Sequence, residues 1–211
     1  MCSNCMNNCG GSCSSGRHNC QNLGPFTAVD VACITPPTHK AKGSIIPFSS
    51  GIVPAILTAA LGATLATTSL VGFGTSFPGV SLLGNTIDLA GLLQTEVFAV
   101  PRAGNITSIA ASFTVVAGLN LAAGSTVRAQ IYRAPATGTV FTATNAMVDL
   151  VPTIAVPLSV NQVMSGLANV VPPVPVSAGD RLVMVFSVIT PGGLTSIVSI
   201  TGHASAGITI D

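Results

Sequence analysis

What most limits the fold of this sequence is its punctuation. From Ser69 to the end, short runs of aliphatic and β-branched residues alternate with Gly, Pro and Asn at intervals of 8–14 residues. Such spacing predicts an antiparallel sandwich or barrel. A first strand is expected over 43–51. Others are expected over 69–73, 80–83, 86–89, 95–100, 106–116, 125–134, 140–144, 147–156 and 197–210. Residues 176–188 read as a turn feeding a fully apolar strand. The segment 170–176, with three prolines, reads as an edge strand or a loop. One helix is expected, over 54–65, where Ala and Leu dominate and Pro54 stands near the start.

Charge is the second constraint. Charged residues make up 6% of the chain, against about 25% in an average soluble domain. None lies between Lys42 and Asp88. A lone domain with so little charge is poorly protected against association, so copies of the chain are expected to cover one another. The net charge of +1 and the scattered Lys and Arg residues provide no field for nucleic acid. With one Tyr and no Trp, base stacking and aromatic sugar platforms are disfavoured. Residues 53–74 are uncharged and long enough to span a bilayer. They also hold five Ser and Thr residues and lack an aromatic belt, so no membrane span is expected.

The cysteines divide the chain in two. Cys2, Cys5, Cys9, Cys13, Cys20 and Cys33 all precede Gly43, and none follows. Residues 1–42 therefore read as a connector arm with linker, and 43–211 as one domain. Residues 1–23 are too polar to make a core. Within 23–34, Leu23, Phe26, Val29, Val31 and Ile34 supply apolar and β-forming side chains suited to docking on a neighbouring subunit, for instance by adding a strand to its sheet. Fully extended, the 42 residues reach at most ~140 Å, several times the diameter of such a domain. The favoured reading of the six cysteines is disulfide cross-links, within or between chains. A Cys/His metal site using His18, a redox CxxC at Cys2 and Cys5, and an unpaired tail are the other readings. Disulfides need an oxidising place, yet the first residues lack the basic and apolar regions of a secretory signal. Exposure after lysis of the producing cell reconciles the two.

Nothing assembles a catalytic centre. Asp30, Asp88, Glu96, Asp149, Asp180 and Asp211 are far apart along the chain, and His39 and His203 have no acid or thiol close by. There is no Gly-x-Ser-x-Gly elbow and no phosphate loop. The chain is therefore read as non-enzymatic, without metal or cofactor, and a hydrolase is a weak third reading. Asp180 reads as a turn residue after Gly179. Arg102, Arg128, Arg133 and Arg181 are read as partners of Glu96, Asp149 or Asp180, or as solvated positions.

Five segments carry a family resemblance: Gly-Ser-Ile-Ile-Pro-Phe-Ser-Ser-Gly (43–51), Val-Gly-Phe-Gly with Pro-Gly-Val (71–80), Phe-Ala-Val-Pro-Arg-Ala-Gly-Asn-Ile-Thr-Ser-Ile (98–109), Ala-Gly-Asp-Arg-Leu (178–182) and Ala-Ser-Ala-Gly-Ile (204–208). Over 43–211 the chain resembles the C-terminal domain of BclB-type exosporium glycoproteins of Bacillus relatives. The resemblance implies an antiparallel jelly roll that forms a homotrimer on the spore surface, made in the mother cell. Here a cysteine-rich arm stands where that family carries a collagen-like stalk, an arrangement that resembles an endospore appendage subunit. The expected function is a structural subunit of a spore-surface fibre or exosporium, stacking through the arm and meeting anchor or tip proteins. The alternative is a trimeric lectin-like adhesin anchored by the arm.

Overall fold

The computed structural model describes residues 43–59, 67–82, 84–92, 95–119, 124–154, 159–190 and 198–211. By contacts the chain divides into Met1–Lys40 and Ala41–Asp211. All the described elements belong to the second unit. The docking residues Leu23, Phe26, Val29, Val31 and Ile34 and all six cysteines lie outside the described residues.

The elements are strands: β1 (Ser44–Ser49), β2 (Ala55–Ala59), β3 (Thr67–Val71), β4 (Ser76–Ser81), β5 (Thr86–Asp88), β6 (Phe98–Ala99), β7 (Gly104–Leu119), β8 (Thr126–Ala134), β9 (Val140–Asp149), β10 (Val163–Val176), β11 (Arg181–Ile189) and β12 (Val198–Ile210). Every pairing between them is antiparallel. One layer runs β10–β7–β12–β1, and the other runs β4–β3–β11–β8–β9–β5. β2 turns the corner, pairing with β12 on one side and touching β3 at Thr58 and Thr67 on the other. The last strands insert between earlier ones: β12 lies between β1 and β7, and β11 between β3 and β8. The chain crosses layers at β7–β8, β9–β10, β10–β11 and β11–β12, while β8–β9 is a hairpin. This is jelly-roll connectivity.

The main core fills the space between the layers. Ile109 and Phe113 of β7 meet Met184 and Phe186 of β11, with the two phenylalanine rings 6.3 Å apart. A second cluster lies on the other side of β11, where Val183 and Val185 join Tyr132, Phe141, Leu70, Val80, Ile87 and Leu89. β11 is thus buried on both faces, which is why its sequence is continuously apolar rather than alternating. β7, β10 and β12 bury one face only and leave the other open.

The expected helix is not present where the chain is described. Residues 55–59 form β2, with Ala55, Leu57 and Ala59 buried and Ile56 and Thr58 outward, a period of two. The rest of that prediction, 60–65, lies outside the described residues. Local Ala and Leu content is a weak prior that tertiary pairing overrides. Here β12 offers a ladder, and the Ser69 hydroxyl serves Ile56 twice. It accepts from the Ile56 N–H and donates to the Ile56 carbonyl, both at 2.9 Å.

Two further boundaries differ from expectation. β9 runs unbroken through Asn145, which lies in a bulge of β9 facing Ile131 that the Gln130 and Thr144 side chains bridge. β10 begins at Val163, well before the expected edge segment. It is an edge strand, and its ladder to β7 is interrupted between Asn169 and Val174, where Pro172 and Pro173 have no N–H to give.

Candidate self-association face

Among the described residues, the open side of the β10–β7–β12–β1 layer is an unusual surface. These four strands contain no Asp, Glu, Lys or Arg, and His203 is their one titratable side chain. Register places outward residues in rows across the strands. One row is Ser49, Ser205, Ser112 and Ser165. The adjacent row is Pro47, Gly207, Ala110 and Leu167, and the next, just before the bulges, is Ile45, Thr209, Ser108 and Asn169. Hydroxyls pair across the face: Ser112 with Ser205, and Ser108 to Thr209, each at 2.9 Å.

The profile is a shallow valley with apolar rims. β12 and β7 contribute Ser, Ala and Gly around a depression of about 350 Å³. On one rim stand Ile45, 74% exposed, and Pro47; on the other stand Leu167, 78% exposed, and Val163. Gly and Ala lose no side-chain entropy when covered, and Ser loses little. Hydroxyls already paired to one another also carry a reduced desolvation cost. Such a face is cheap to bury against another molecule and poor at repelling one.

The charged side chains gather elsewhere. Arg128 grips Asp149 across β8 and β9 with two hydrogen bonds, Nε to Oδ1 at 2.6 Å and Nη2 to Oδ2 at 2.9 Å. Those bonds hold the Asp149 carboxyl below its ordinary range and raise Arg128 above its own. Arg133 lies 3.8 Å from Asp180. Asp180 also takes the Ser177 N–H at 2.8 Å, the turn role expected of it. Arg102 donates to the Ser44 hydroxyl, and Arg181 donates to the Gly138 carbonyl and covers the Phe141 ring. Glu96 is buried and accepts from Thr75 and Thr95 rather than from an arginine. His203 is exposed. Among the described residues, no group of three His, Cys, Asp or Glu side chains is placed to hold a metal, and no helix is long and apolar enough to cross a membrane.

Sequence reasoning did not find the serine row. Its signal was available strand by strand, as small or uncharged polar side chains at every second position: Ala110, Ser112 and Thr114 in β7, then Thr201, Ser205, Gly207 and Thr209 in β12, with His203 the one larger exception.

The molecule is thus an all-β antiparallel jelly roll with one uncharged, small-residue face. No family model matches the chain. It is similar to Collagen-like protein 1 of Acanthamoeba polyphaga mimivirus, with 33% identity over 179 residues, covering 80% of this chain. The chain spans 19% of that relative's length. Structures of infectious bursal disease virus, Gt and Gx strains, superpose with TM-scores of 0.37 and 0.33 at 12% and 11% identity. They cover 88% and 87% of this chain and 37% and 36% of theirs. Superpositions this loose carry no argument, and the jelly-roll assignment rests on the strand order.

Proposed function

We propose that the protein is a structural subunit of a spore-surface fibre or exosporium, built from homotrimers that associate through the β10–β7–β12–β1 face. The observation that carries this reading is the face itself: four adjacent strands without a fixed charge, small in the middle and apolar at both rims. The number three and the spore come from the family resemblance. Similarity to a collagen-like protein supports a structural role. A rotation that brings a rim of one copy onto the valley of the next closes into a ring, and residues 1–42 then join rings, a contact that need not close and so gives a filament. Cys2, Cys5, Cys9, Cys13, Cys20 and Cys33 would lock that joint, and Leu23, Phe26, Val29, Val31 and Ile34 would seat it.

Negative-stain electron microscopy of the full chain, with and without a reductant, tests the reading. Fibres under oxidising conditions that shorten to particles of three copies on reduction are expected. Identical discrete particles in both conditions would remove the arm as a covalent connector. A second reading, an arm-anchored adhesin, is favoured by one observation, a polar groove whose lining shares no residue with the face.

A further inference from the structure

That groove lies between the β8–β9 hairpin and the turn before β11, beside the seam where β10 and β9 approach without forming a ladder. Pro172, Pro173 and Pro175 leave this part of β10 short of N–H donors, so side chains hold its carbonyls instead. Asn145 Nδ2 donates to the Pro172 carbonyl at 2.7 Å, and Arg133 Nη1 donates to that of Pro175. The space left open is about 480 Å³, within the usual range for small-molecule sites. Its chemistry comes from Arg133, Thr142, Ser177 and Asp180, with Pro135 and Val140 as an apolar wall.

The polar groups have capacity to spare. Arg133 has five N–H groups and gives one to Pro175. Asp180 Oδ2 takes the Ser177 N–H. Among the described residues, Asp180 Oδ1 and the hydroxyls of Thr142 and Ser177 make no hydrogen bond. The groove therefore offers a fixed donor, a fixed acceptor and two hydroxyls that serve either way. The guanidinium and carboxylate stand 3.8 Å apart, so their charges offset and leave little net field to select a free anion or cation. A ligand that satisfies both must accept and donate at neighbouring atoms. Two adjacent hydroxyls on a sugar ring do this, one accepting from Arg133 and one donating to Asp180, while the ring's C–H face rests on Pro135 and Val140.

We propose that this groove is a binding site for a neutral saccharide, engaged through a vicinal diol. The proposal deepens the adhesin reading and does not depend on fibre formation. The one Tyr of the chain is buried in the second core cluster, so no tyrosine stacks on the sugar, and a single site binds weakly, with a dissociation constant on the order of millimolar. Several copies on one particle would raise the effective affinity by avidity.

Saturation-transfer NMR on the full chain tests this, with methyl glycosides of mannose, galactose, glucose and N-acetylglucosamine as probes and inorganic sulfate as competitor. Saturable transfer to at least one glycoside, unaffected by sulfate, is expected. Asp180→Asn should weaken it by about tenfold or more. Thr142→Val keeps shape on an exposed strand position and should also weaken it, so a turn loosened by the first variant does not decide the outcome. No transfer to any glycoside, equal transfer in wild type and Thr142→Val, or displacement by sulfate would each overturn the assignment. Electron microscopy of the same samples reads assembly separately.

Discussion

Tyr132 shows how one side chain reports on the packing around it. It sits on β8 in the second core cluster, 5% exposed. Burial disfavours the phenolate and pushes the pKa above its ordinary 10.0, while Arg128 opposes this more weakly. The folded value is raised, so the stability Tyr132 contributes is intact below the unfolded value near 10. It is lost as pH rises through the folded value. The chain has no Trp and no other Tyr, so tyrosinate absorbance reports this residue alone. A spectrophotometric titration should give a midpoint above 10 in the native protein and close to 10 in concentrated denaturant. Equal midpoints would mean that the segments covering β8 do not stay closed in alkali.

At the scale of the element, the two ends of β12 differ in what they tolerate. Gly202 sits at a bulge facing the core, and a Cβ there would run into the Thr114 carbonyl oxygen and the Phe113 ring. Phe113 is fully buried beside Phe186 and has nowhere to go. Gly202→Ala should therefore cost about 1–3 kcal/mol, as overpacking does. At Gly207 the nearest atom to an added Cβ is the Ile46 carbonyl oxygen at 3.8 Å, an ordinary contact. Thermal unfolding should show a lowered Tm for Gly202→Ala and almost none of that loss for Gly207→Ala; similar losses would contradict the packing described. Elements like β11 and β12 were legible in sequence because apolar runs and alternation have few other solutions. β2 was not, since its Ala and Leu residues favour a helix locally and only β12 and the Ser69 hydroxyl decide otherwise. Early β10 was not either, because Met-Ser-Gly-Leu-Ala-Asn has a loop's composition and becomes a strand only beside β7. The serine row needs the register of four strands, and the groove beside Arg133 and Asp180 needs the β8–β9 hairpin and the turn before β11 brought together. Neither is a property of any one stretch.

For the whole molecule, the proposed trimer turns on which surface a second copy would cover. Ser205 stands near the middle of the serine row, flanked by Ser49 on β1 and Ser112 on β7. It is exposed in the single chain, so a long polar side chain there can extend into solvent without disturbing the core. In an interface built on this face the same side chain would be desolvated, and the four strands hold no carboxylate to pair with it. An unpaired interfacial charge costs several kcal/mol, and about 3 kcal/mol already weakens association by roughly a hundredfold. If the proposed trimer forms through this face, Ser205→Arg should shift native mass spectra from three copies of a 21.0 kDa chain to one, with the circular dichroism spectrum unchanged and the Tm lowered by the lost association. If Ser205→Arg keeps the wild-type mass, this face is not where the copies meet, and the exposed apolar residues around Ile52 and Phe73 become the surface to test.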